Sequence, residues 1–260
     1  MAISKGKVIT VTSVKGGTGK TTTLLNLAGI YSLMGKKVLV VDFDLYTGAI
    51  AASLNVEITN DIYKLVDDLM NNRFDYIEKY VLSYSENIHV LASPKDPRYA
   101  SKISSKYLKI ILTRAAMKYD IVLVDTNHAL DEKNLVTLDN SDEIVYVINN
   151  DPIDLKNMKT IVSIYKDLDK KNYKIVLNES FDKSRNYFNK YDIKNIIKDN
   201  IDYIIPSTFY IKNIDKYVLD AEILTLNKQI RNTHKKEIKN FENLAKNLLK
   251  EESKVKEWKT

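Results

Sequence analysis

Residues 15–22 of this 260-residue chain read Lys-Gly-Gly-Thr-Gly-Lys-Thr-Thr, and this stretch decides the fold. Its three glycines lack a β-carbon, so the backbone N–H groups can turn inward and form a nest that accepts an anion. Residues 8–13 are mostly β-branched and predict a buried strand, while apolar residues recur at helical spacing from Leu24 to Tyr31. The sequence therefore predicts a strand, a phosphate-binding loop and a helix, in that order.

The residues of this loop indicate a nucleotide as its ligand. At the start of the predicted helix, unpaired backbone N–H groups and the helix dipole attract phosphate. Lys20 adds a positive charge for the outer phosphates, and the Thr21 hydroxyl offers an oxygen to Mg²⁺. The predicted ligands are ATP and Mg²⁺. The predicted ATP-binding residues of the loop are Gly16, Gly17, Thr18, Gly19, Lys20, Thr21 and Thr22.

Composition narrows the class of protein. Hydrophobic residues make up 44% of the chain, yet no apolar run approaches the roughly 20 residues that a membrane-spanning helix needs. We expect a cytoplasmic protein without a signal peptide, because the first predicted strand follows the N-terminus almost at once. The chain contains no cysteine, which excludes iron–sulfur clusters held by thiolates. A net charge of +6 is too small, by itself, to indicate a nucleic-acid partner.

The apolar runs of the sequence predict a three-layer α/β fold. Each run is nearly continuous, as in strands buried on both faces, and helical stretches separate the runs. This alternation indicates a mostly parallel, twisted sheet flanked by helices. The predicted strands are residues 8–13, 37–43, 87–92, 119–126, 142–149, 173–178 and 202–205. Few glycines and prolines interrupt the chain, so we predict one domain over residues 1–252 and a short tail over 253–260.

Polar residues stand at the ends of several predicted strands. Asp42 and Asp44 come at the end of the second strand, Asp125 at the end of the fourth and Asn178 at the end of the sixth. Ligands of parallel sheets bind beyond the carboxyl ends of the strands, so these residues and the loop are expected to converge. Each residue taken alone could instead cap a helix or a turn. Their convergence favours a binding site.

The loop resembles the deviant Walker A motif of the ParA/MinD family of P-loop ATPases. Val14 stands where the ordinary motif begins with glycine, and Lys15 is an additional lysine. The resemblance covers nearly the whole chain and implies a P-loop NTPase fold and a homodimer that forms in the ATP state. It also implies that Lys15 reaches across the dimer interface to the partner's nucleotide, where its charge would assist phosphoryl transfer. From the residues alone, a solvated loop lysine is the alternative.

The resemblance also implies roles for the acidic residues at the strand ends. Asp125 matches the Walker B position and would hold Mg²⁺ through water, with Thr21 as a direct ligand. Asp42 and Asp44 resemble the switch I sequence, in which the first acid lies near the metal-bound water and the second orients the attacking water. Lys15 and Asp44 are thus the predicted catalytic residues, and Thr21, Asp42 and Asp125 form the predicted metal site.

Two further residues are interpreted through the same resemblance, and a third, His128, is interpreted from its place beside the predicted metal site. Asn178 corresponds to an asparagine that reads the adenine edge with its amide. Pro206 resembles a proline in the loop that walls the base, and a plain turn proline is the alternative. His128 follows Asp125 by three positions and is interpreted as a residue that supports the metal site or a switch, rather than as a catalytic base.

The resemblance leaves the cellular role open between three functions. Segments 42–48, 93–97 and 125–130 look most like the CpaE/TadZ branch, which localises type IV pilus or Tad secretion machinery. We therefore expect an ATP-gated dimeric switch that hydrolyses ATP slowly and positions such machinery. A DNA-partition ATPase that binds DNA without sequence preference is the alternative. A bacterial tyrosine autokinase is less favoured, because no tyrosine follows Tyr217 and a C-terminal tyrosine cluster is missing.

Three segments are candidates for contact with a partner. Residues 98–118 carry basic residues at helical spacing and no acid, so they form either a solvated helix face or a contact surface for DNA, acidic lipid or an acidic protein. Residues 233–250 are apolar on one side, and we expect them to pack on the sheet rather than to bind a membrane. The tail holds the only tryptophan, Trp258, either as a frayed end or as an anchor at the inner face of the membrane.

Overall fold

A computed structural model describes residues 5–179, 187–211 and 214–250 of the chain. The tail with Trp258, and with it the predicted domain boundary, lies outside the described residues. The strands are β1 (Lys7–Thr12), β2 (Val38–Asp42), β3 (Leu82–Ser83), β4 (Ile88–Leu91), β5 (Ile121–Asp125), β6 (Glu143–Ile148), β7 (Tyr173–Asn178) and β8 (Tyr203–Ile205).

Helices connect these strands. The α-helices are α1 (Lys20–Leu33), α2 (Ile50–Ser53), α3 (Ile62–Met70), α4 (Ser105–Ala116), α5 (Glu132–Asp139), α6 (Pro152–Asp167), α7 (Lys190–Ile197), α8 (Ser207–Ile211), α9 (Ile214–Val218), α10 (Lys228–Thr233) and α11 (Lys235–Leu248). Short 3₁₀ turns cover Ile77–Tyr80, Pro97–Lys102 and Leu224–Leu226. None of the helices in the described ranges is long and apolar enough to cross a membrane.

The strands form one sheet in the order β3-β4-β2-β5-β1-β6-β7-β8. Neighbouring strands are parallel except β3 and β4, which pair antiparallel at one edge. The α/β class and all seven predicted strands are confirmed, with ends that shift by one or two residues. The additional strand, β3, has two residues and is too short to produce an alternating pattern in the sequence.

Helices cover both faces of the sheet. On one face, α1, α10 and α11 pack against inward side chains of the central strands, such as Ile9 and Val145. On the opposite face, α3 and α4 cover β2 and β5, while α6 and α7 cover β6 and β7. Strands β2, β5 and β6 are buried at every position, which explains why their sequences are apolar without alternation.

The last helix packs on the core, as its apolar face predicts. Ile238, Phe241, Leu244, Ala245 and Leu248 of α11 are all buried in the same cluster as α1. The Tyr31 hydroxyl of α1 donates a hydrogen bond to the Ala245 carbonyl at 3.1 Å. Because this apolar face is already covered by the protein, α11 does not offer it to a membrane.

Strand β1 lies at the point where the chain changes direction across the sheet. Its neighbours are β5 and β6, and the strands that follow β1 in the chain extend the sheet to both sides. A crevice opens at such a point beyond the carboxyl ends of the strands. The glycine-rich loop, residues 13–19, starts there, because β1 ends at Thr12 and α1 begins at Lys20.

Gly29 allows a close approach between α1 and the 3₁₀ turn Leu224–Leu226. A β-carbon at Gly29 would lie 2.2 Å from the Thr225 Oγ1 and 2.8 Å from the Ile223 Cγ2. We expect Gly29→Ala to lower the free energy of unfolding by about 1–3 kcal/mol, as overpacked core substitutions do, although alanine favours helix. Urea denaturation measures this change, and the exposed Leu33→Ala is the control. A Gly29→Ala protein as stable as the wild type would contradict the packing.

Candidate functional site

The glycine-rich loop adopts backbone conformations that side chains disfavour. Gly17 and Gly19 have φ angles of 75° and 91°, in the left-handed region. The Ser13 hydroxyl donates to the Lys15 carbonyl at 2.6 Å and fixes the first turn of the loop. Gly19 directly precedes α1, so the backbone N–H groups of the loop and of the first turn of α1 lie next to each other. This is the arrangement that the sequence predicts for phosphate binding.

Asn178, at the end of β7, braces this loop. Its side-chain nitrogen donates to the Thr18 carbonyl at 2.8 Å, and its own carbonyl accepts from the Asn149 amide at 2.7 Å. A β-carbon at Gly19 would lie 2.4 Å from the Asn178 nitrogen, so only glycine fits there. The Asn178 Oδ1 is buried without a hydrogen-bond partner, and contact with adenine stays a prediction.

Asp125 lies beside the first turn of α1. The Thr21 hydroxyl donates to its Oδ2 at 2.5 Å, while its Oδ1 is buried and has no hydrogen-bond partner. The residue is 2% exposed. Burial raises the pKa of the Asp125 carboxyl to about 6, although the Thr21 hydrogen bond and the Lys20 charge act in the opposite direction. Asp125 therefore offers one free oxygen to a cation or to a water bound to it.

Asp42 is the neighbour of Asp125 across the sheet, because the two residues are paired in the register of β2 and β5. It is 1% exposed and accepts backbone N–H groups of Asp44 and Ile50, each at 3.2 Å. Burial, and next the charge of Asp125, raise the pKa of the Asp42 carboxyl well above its usual range. Two buried carboxylates side by side repel each other, and a cation between them would relieve this repulsion.

Asp44 caps the turn that follows β2. Its carboxylate accepts from the Thr47 hydroxyl at 2.8 Å and from the Thr47 backbone N–H at 3.3 Å. This is the turn geometry that the residue types alone allow. The segment from Asp44 to Ala49, here called the switch loop, joins β2 to α2. The predicted role of Asp44 in orienting water stays a prediction.

Lys15 forms an ion pair within its own subunit. Its Nζ lies 3.0 Å from the Asp151 Oδ1, and Asp151 is also the N-cap of α6. The nearby Asp154 is fully buried, and its Oδ2 accepts the Asn149 backbone N–H at 2.6 Å. The sequence analysis identified neither acid, although Asp-Pro-x-Asp after an apolar strand is typical of a helix start.

Pro206 and His128 lie close to the loop and its brace. Pro206 directly follows Ile205, which is paired in register with Asn178, and its carbonyl accepts from the Phe209 N–H at 3.1 Å. A β-carbon at Gly16 would lie 3.7 Å from the His128 ring. The structure thus brings all the predicted site residues to one edge of the sheet, whereas their individual roles stay predictions.

The residues at this edge fit a nucleotide with Mg²⁺. The loop is a nest of N–H groups, and the Thr18 hydroxyl is buried without a partner. Within the part of the chain described, no three histidine, aspartate or glutamate side chains converge to form a metal cage. Mg²⁺ suits this donor set, because it keeps most of its water and needs few protein ligands. Thr21 would bind it directly, and Asp42 and Asp125 would hold its waters.

The fold and the site together define a class, an α/β P-loop protein with its phosphate loop at the end of the central strand. The family model described as an AAA domain matches residues 6–178, and the chain belongs to this family. The matched span contains the phosphate loop, both buried carboxylates and Asn178.

Two curated proteins are similar in sequence to part of this chain. Sporulation initiation inhibitor protein Soj of Bacillus subtilis is 28% identical over 164 residues, which are 61% of this chain and 64% of that protein. Tyrosine-protein kinase YwqD of the same species is 31% identical over 121 residues, which are 46% of this chain and 49% of that protein. The chain therefore spans less than two thirds of the length of either relative.

Solved structures resemble the whole fold. A ParA family ATPase from Chlorobium tepidum has a TM-score of 0.77 at 21% identity, over 92% of this chain and 98% of that chain. The septum site-determining protein MinD from Pyrococcus horikoshii, complexed with Mg-ADP, has a TM-score of 0.76 at 22% identity, over 94% and 96%. The predicted P-loop NTPase fold is confirmed. Together with the family match and the relatives, these likenesses support the predicted ParA/MinD family.

Gly48 keeps the switch loop close to Asp42, a residue of the predicted metal site. A β-carbon there would lie 1.8 Å from the Ser93 Oγ and 2.6 Å from the Asp42 Oδ2. We expect Gly48→Ala to displace the Asp42 carboxylate and to weaken Mg²⁺-dependent nucleotide binding about tenfold, as other changes around metal sites do. Titration of Mg²⁺ against a fluorescent ATP analogue measures this, with the exposed Ala49→Ser as control. Unchanged Mg²⁺ dependence in Gly48→Ala would show that the Asp42 carboxylate keeps its place without a glycine at position 48.

Proposed function

We propose that this chain is a Mg²⁺-dependent ATPase that acts as a dimeric switch of the ParA/MinD type. The free, buried oxygen of Asp125 beside the Thr21 hydroxyl carries the proposal, because a buried acceptor without a partner is costly unless a ligand completes it. Lys20 and the nest of N–H groups supply the positive field for the phosphates. ATP supplies the phosphoryl group that is transferred to water.

Exposed apolar side chains around the loop support the dimer. Tyr46 of the switch loop, Leu130 after β5 and Ile153 at the start of α6 are all more than half exposed. They follow the carboxyl ends of β2, β5 and β6, at the edge where the phosphate loop opens. A second copy of the chain, seated over this edge, would cover them and enclose the nucleotide.

Lys15 would then act on the nucleotide of the second copy. In the single chain it is held by Asp151, so the dimer must exchange this ion pair for contact with phosphate. Such a partly exposed pair contributes only about 0–1 kcal/mol, which a charged phosphate easily exceeds. In the closed dimer, Lys15 would place positive charge where negative charge develops, and Asp44 would orient the attacking water.

The cargo of the switch is the finer part of the proposal. The similarity of segments 42–48, 93–97 and 125–130 to the CpaE/TadZ branch favours a protein machinery, such as a pilus or secretion apparatus. The ATP-bound dimer would bind this partner, and slow hydrolysis would release it. The match to a tyrosine kinase keeps autophosphorylation as a third candidate, although no tyrosine follows Tyr217.

The exchange of Lys15 between Asp151 and the partner's nucleotide can be tested by sedimentation. With ATP and Mg²⁺, we expect Asp44→Ala to sediment as a dimer, because binding proceeds and hydrolysis does not. The double variant Lys15→Ala/Asp44→Ala is expected to stay monomeric. Lys156→Ala in the same background removes an exposed lysine of α6 and is the matched control. If the Lys15→Ala/Asp44→Ala variant dimerises and Lys15→Ala alone hydrolyses ATP as fast as the wild type, Lys15 has no role in trans.

One surface favours DNA as a second candidate partner. Helix α4 buries Leu108, Ile111 and Leu112 and leaves Lys106 and Lys109 exposed, as the sequence predicts. The Arg98 guanidinium is paired with the Asp96 carboxylate, whereas Lys102, just before α4, and Lys106 and Lys109, on α4, are exposed. A lysine-bearing helix without acids suits phosphate contacts that are independent of sequence.

DNA binding is tested by fluorescence anisotropy of a labelled duplex with ATP and Mg²⁺. If DNA is the partner, affinity falls by about a hundredfold between 50 and 200 mM salt, because phosphate contacts release counterions. Lys106→Glu/Lys109→Glu should abolish binding, while Lys235→Glu/Lys236→Glu, an exposed pair at the start of α11, should reduce it little. No binding by the wild type at about 50 mM salt would remove this candidate.

A further inference from the structure

Asn149 connects the end of β6 to the end of β7. It directly follows β6, whose last residue, Ile148, is paired in register with Leu177 of β7. At the next position the side chain takes over from the backbone, because the Asn149 Nδ2 donates to the Asn178 backbone carbonyl at 2.7 Å. The contact between the two strands thus continues for one residue beyond the point where β6 ends.

The backbone of Asn149 is held from the other side by α6. Its N–H donates to the Asp154 Oδ2 at 2.6 Å, and Asp154 lies fully buried in the first turn of α6. Burial raises the pKa of the Asp154 carboxyl to about 6, so at neutral pH the group is mostly ionised and accepts strongly. This hydrogen bond fixes the backbone from which the Asn149 side chain extends.

These contacts form a chain of hydrogen bonds that ends at the phosphate loop. Asn178 accepts the Asn149 side chain on its backbone carbonyl, and its own side chain donates to the Thr18 carbonyl at 2.8 Å. A β-carbon at Gly19 would lie 2.4 Å from the Asn178 Nδ2, so the Asn178 side chain is packed closely against the loop. A displacement of the Asn178 backbone would therefore disturb the loop.

The first turn of α6 touches the phosphate loop at a second point. The Asp151 Oδ1 accepts the Asp154 backbone N–H at 3.0 Å and also lies 3.0 Å from the Lys15 Nζ. In the proposed dimer Lys15 leaves Asp151 for the partner's nucleotide, so this contact belongs to the single chain. The link through Asn149 and Asn178 does not involve Lys15 and can persist in both states.

We propose that Asn149 is a positioning residue, which holds Asn178 and through it the phosphate loop in the shape that binds phosphate. It would keep this shape before ATP binds and while Lys15 exchanges its partners. For its effect on ATP affinity, this inference rests on the proposed function. Loss of the Asn149 donor would free the Asn178 backbone and allow the Thr18 carbonyl to move.

The test compares two variants of Asn149 with one variant of its neighbour. Asn149→Ala removes the side chain, whereas Asn149→Leu keeps its approximate size but has no hydrogen-bond donor. Asn150→Ala is the matched control. The buried Asn150 amide donates to the Phe188 carbonyl at 2.6 Å and accepts from the Phe188 N–H at 3.1 Å. Both of these bonds would be lost in the control, yet neither involves the loop.

The three measurements are amide exchange, ATP affinity and turnover. Without nucleotide, we expect hydrogen exchange over residues 15–22 to become about fivefold faster in both Asn149 variants and to stay unchanged in Asn150→Ala, as the loss of one hydrogen bond predicts. The Kd for ATP should rise about fivefold in the same two variants only. At saturating ATP we expect kcat to change by less than about twofold, because the bound phosphates then hold the loop from the other side.

The outcomes separate this inference from the proposed function. Unchanged exchange over residues 15–22 or unchanged ATP affinity in the Asn149 variants overturns the positioning role. Equal effects in Asn150→Ala also overturn it, because general loss of stability would then be the cause. A fall of kcat at saturating ATP as large as the loss of affinity would assign Asn149 to hydrolysis instead. If the wild type binds no ATP, the proposed function fails, and the exchange comparison still decides whether Asn149 holds the loop.

Discussion

Two buried carboxylates, Asp42 and Asp125, impose the constraint on which the rest of the site depends. They end neighbouring strands in register, so the parallel sheet itself brings their charges together. Each raises the free energy of the other's charged form, and both are cut off from water. The Thr21 hydroxyl, the Lys20 charge and two backbone N–H groups compensate part of this cost. A hydrated cation with its phosphates would compensate the rest, which explains why the loop lies directly above them.

The phosphate loop is held by parts of the chain that come much later in sequence. Asn178 supports the Thr18 carbonyl from β7, and Thr225 locks the C-terminal segment onto α1 through Asn26. Lys15 is held by Asp151 at the start of α6. The loop is therefore fixed from several sides. The switch loop is also held, by the backbone N–H groups of Asp44 and Ile50 on Asp42, by the buried Leu45 and by the close packing of Gly48 on Ser93.

Local chemistry made the fold and the core of the site predictable. Strands that are buried on both faces have continuous apolar sequences, so β1 could be predicted from the sequence. The phosphate loop needs glycine where φ is positive, and the resulting glycine-rich motif identifies the residues from Gly16 to Thr22 and the start of α1. The polar strand ends converge for topological reasons. The ion pair of Lys15 with Asp151 and the hydrogen bond of Asn178 to the Thr18 carbonyl could not be predicted, because each depends on which distant elements meet. The strand β3 forms by pairing with β4, and its two residues are too few to show a periodic pattern in the sequence.

The central claim is that Asp125 binds Mg²⁺ through its free oxygen when ATP occupies the loop. Isothermal titration of ATP into the wild type and into Asp125→Asn, each with Mg²⁺ and with EDTA, tests this directly. The variant keeps the shape of the side chain and an acceptor for Thr21, but it removes the charge. We predict that Mg²⁺ strengthens ATP binding to the wild type at least tenfold, on the order seen for metal-site partners, and has little effect on the variant. Equal Mg²⁺ dependence in both proteins would contradict the claim.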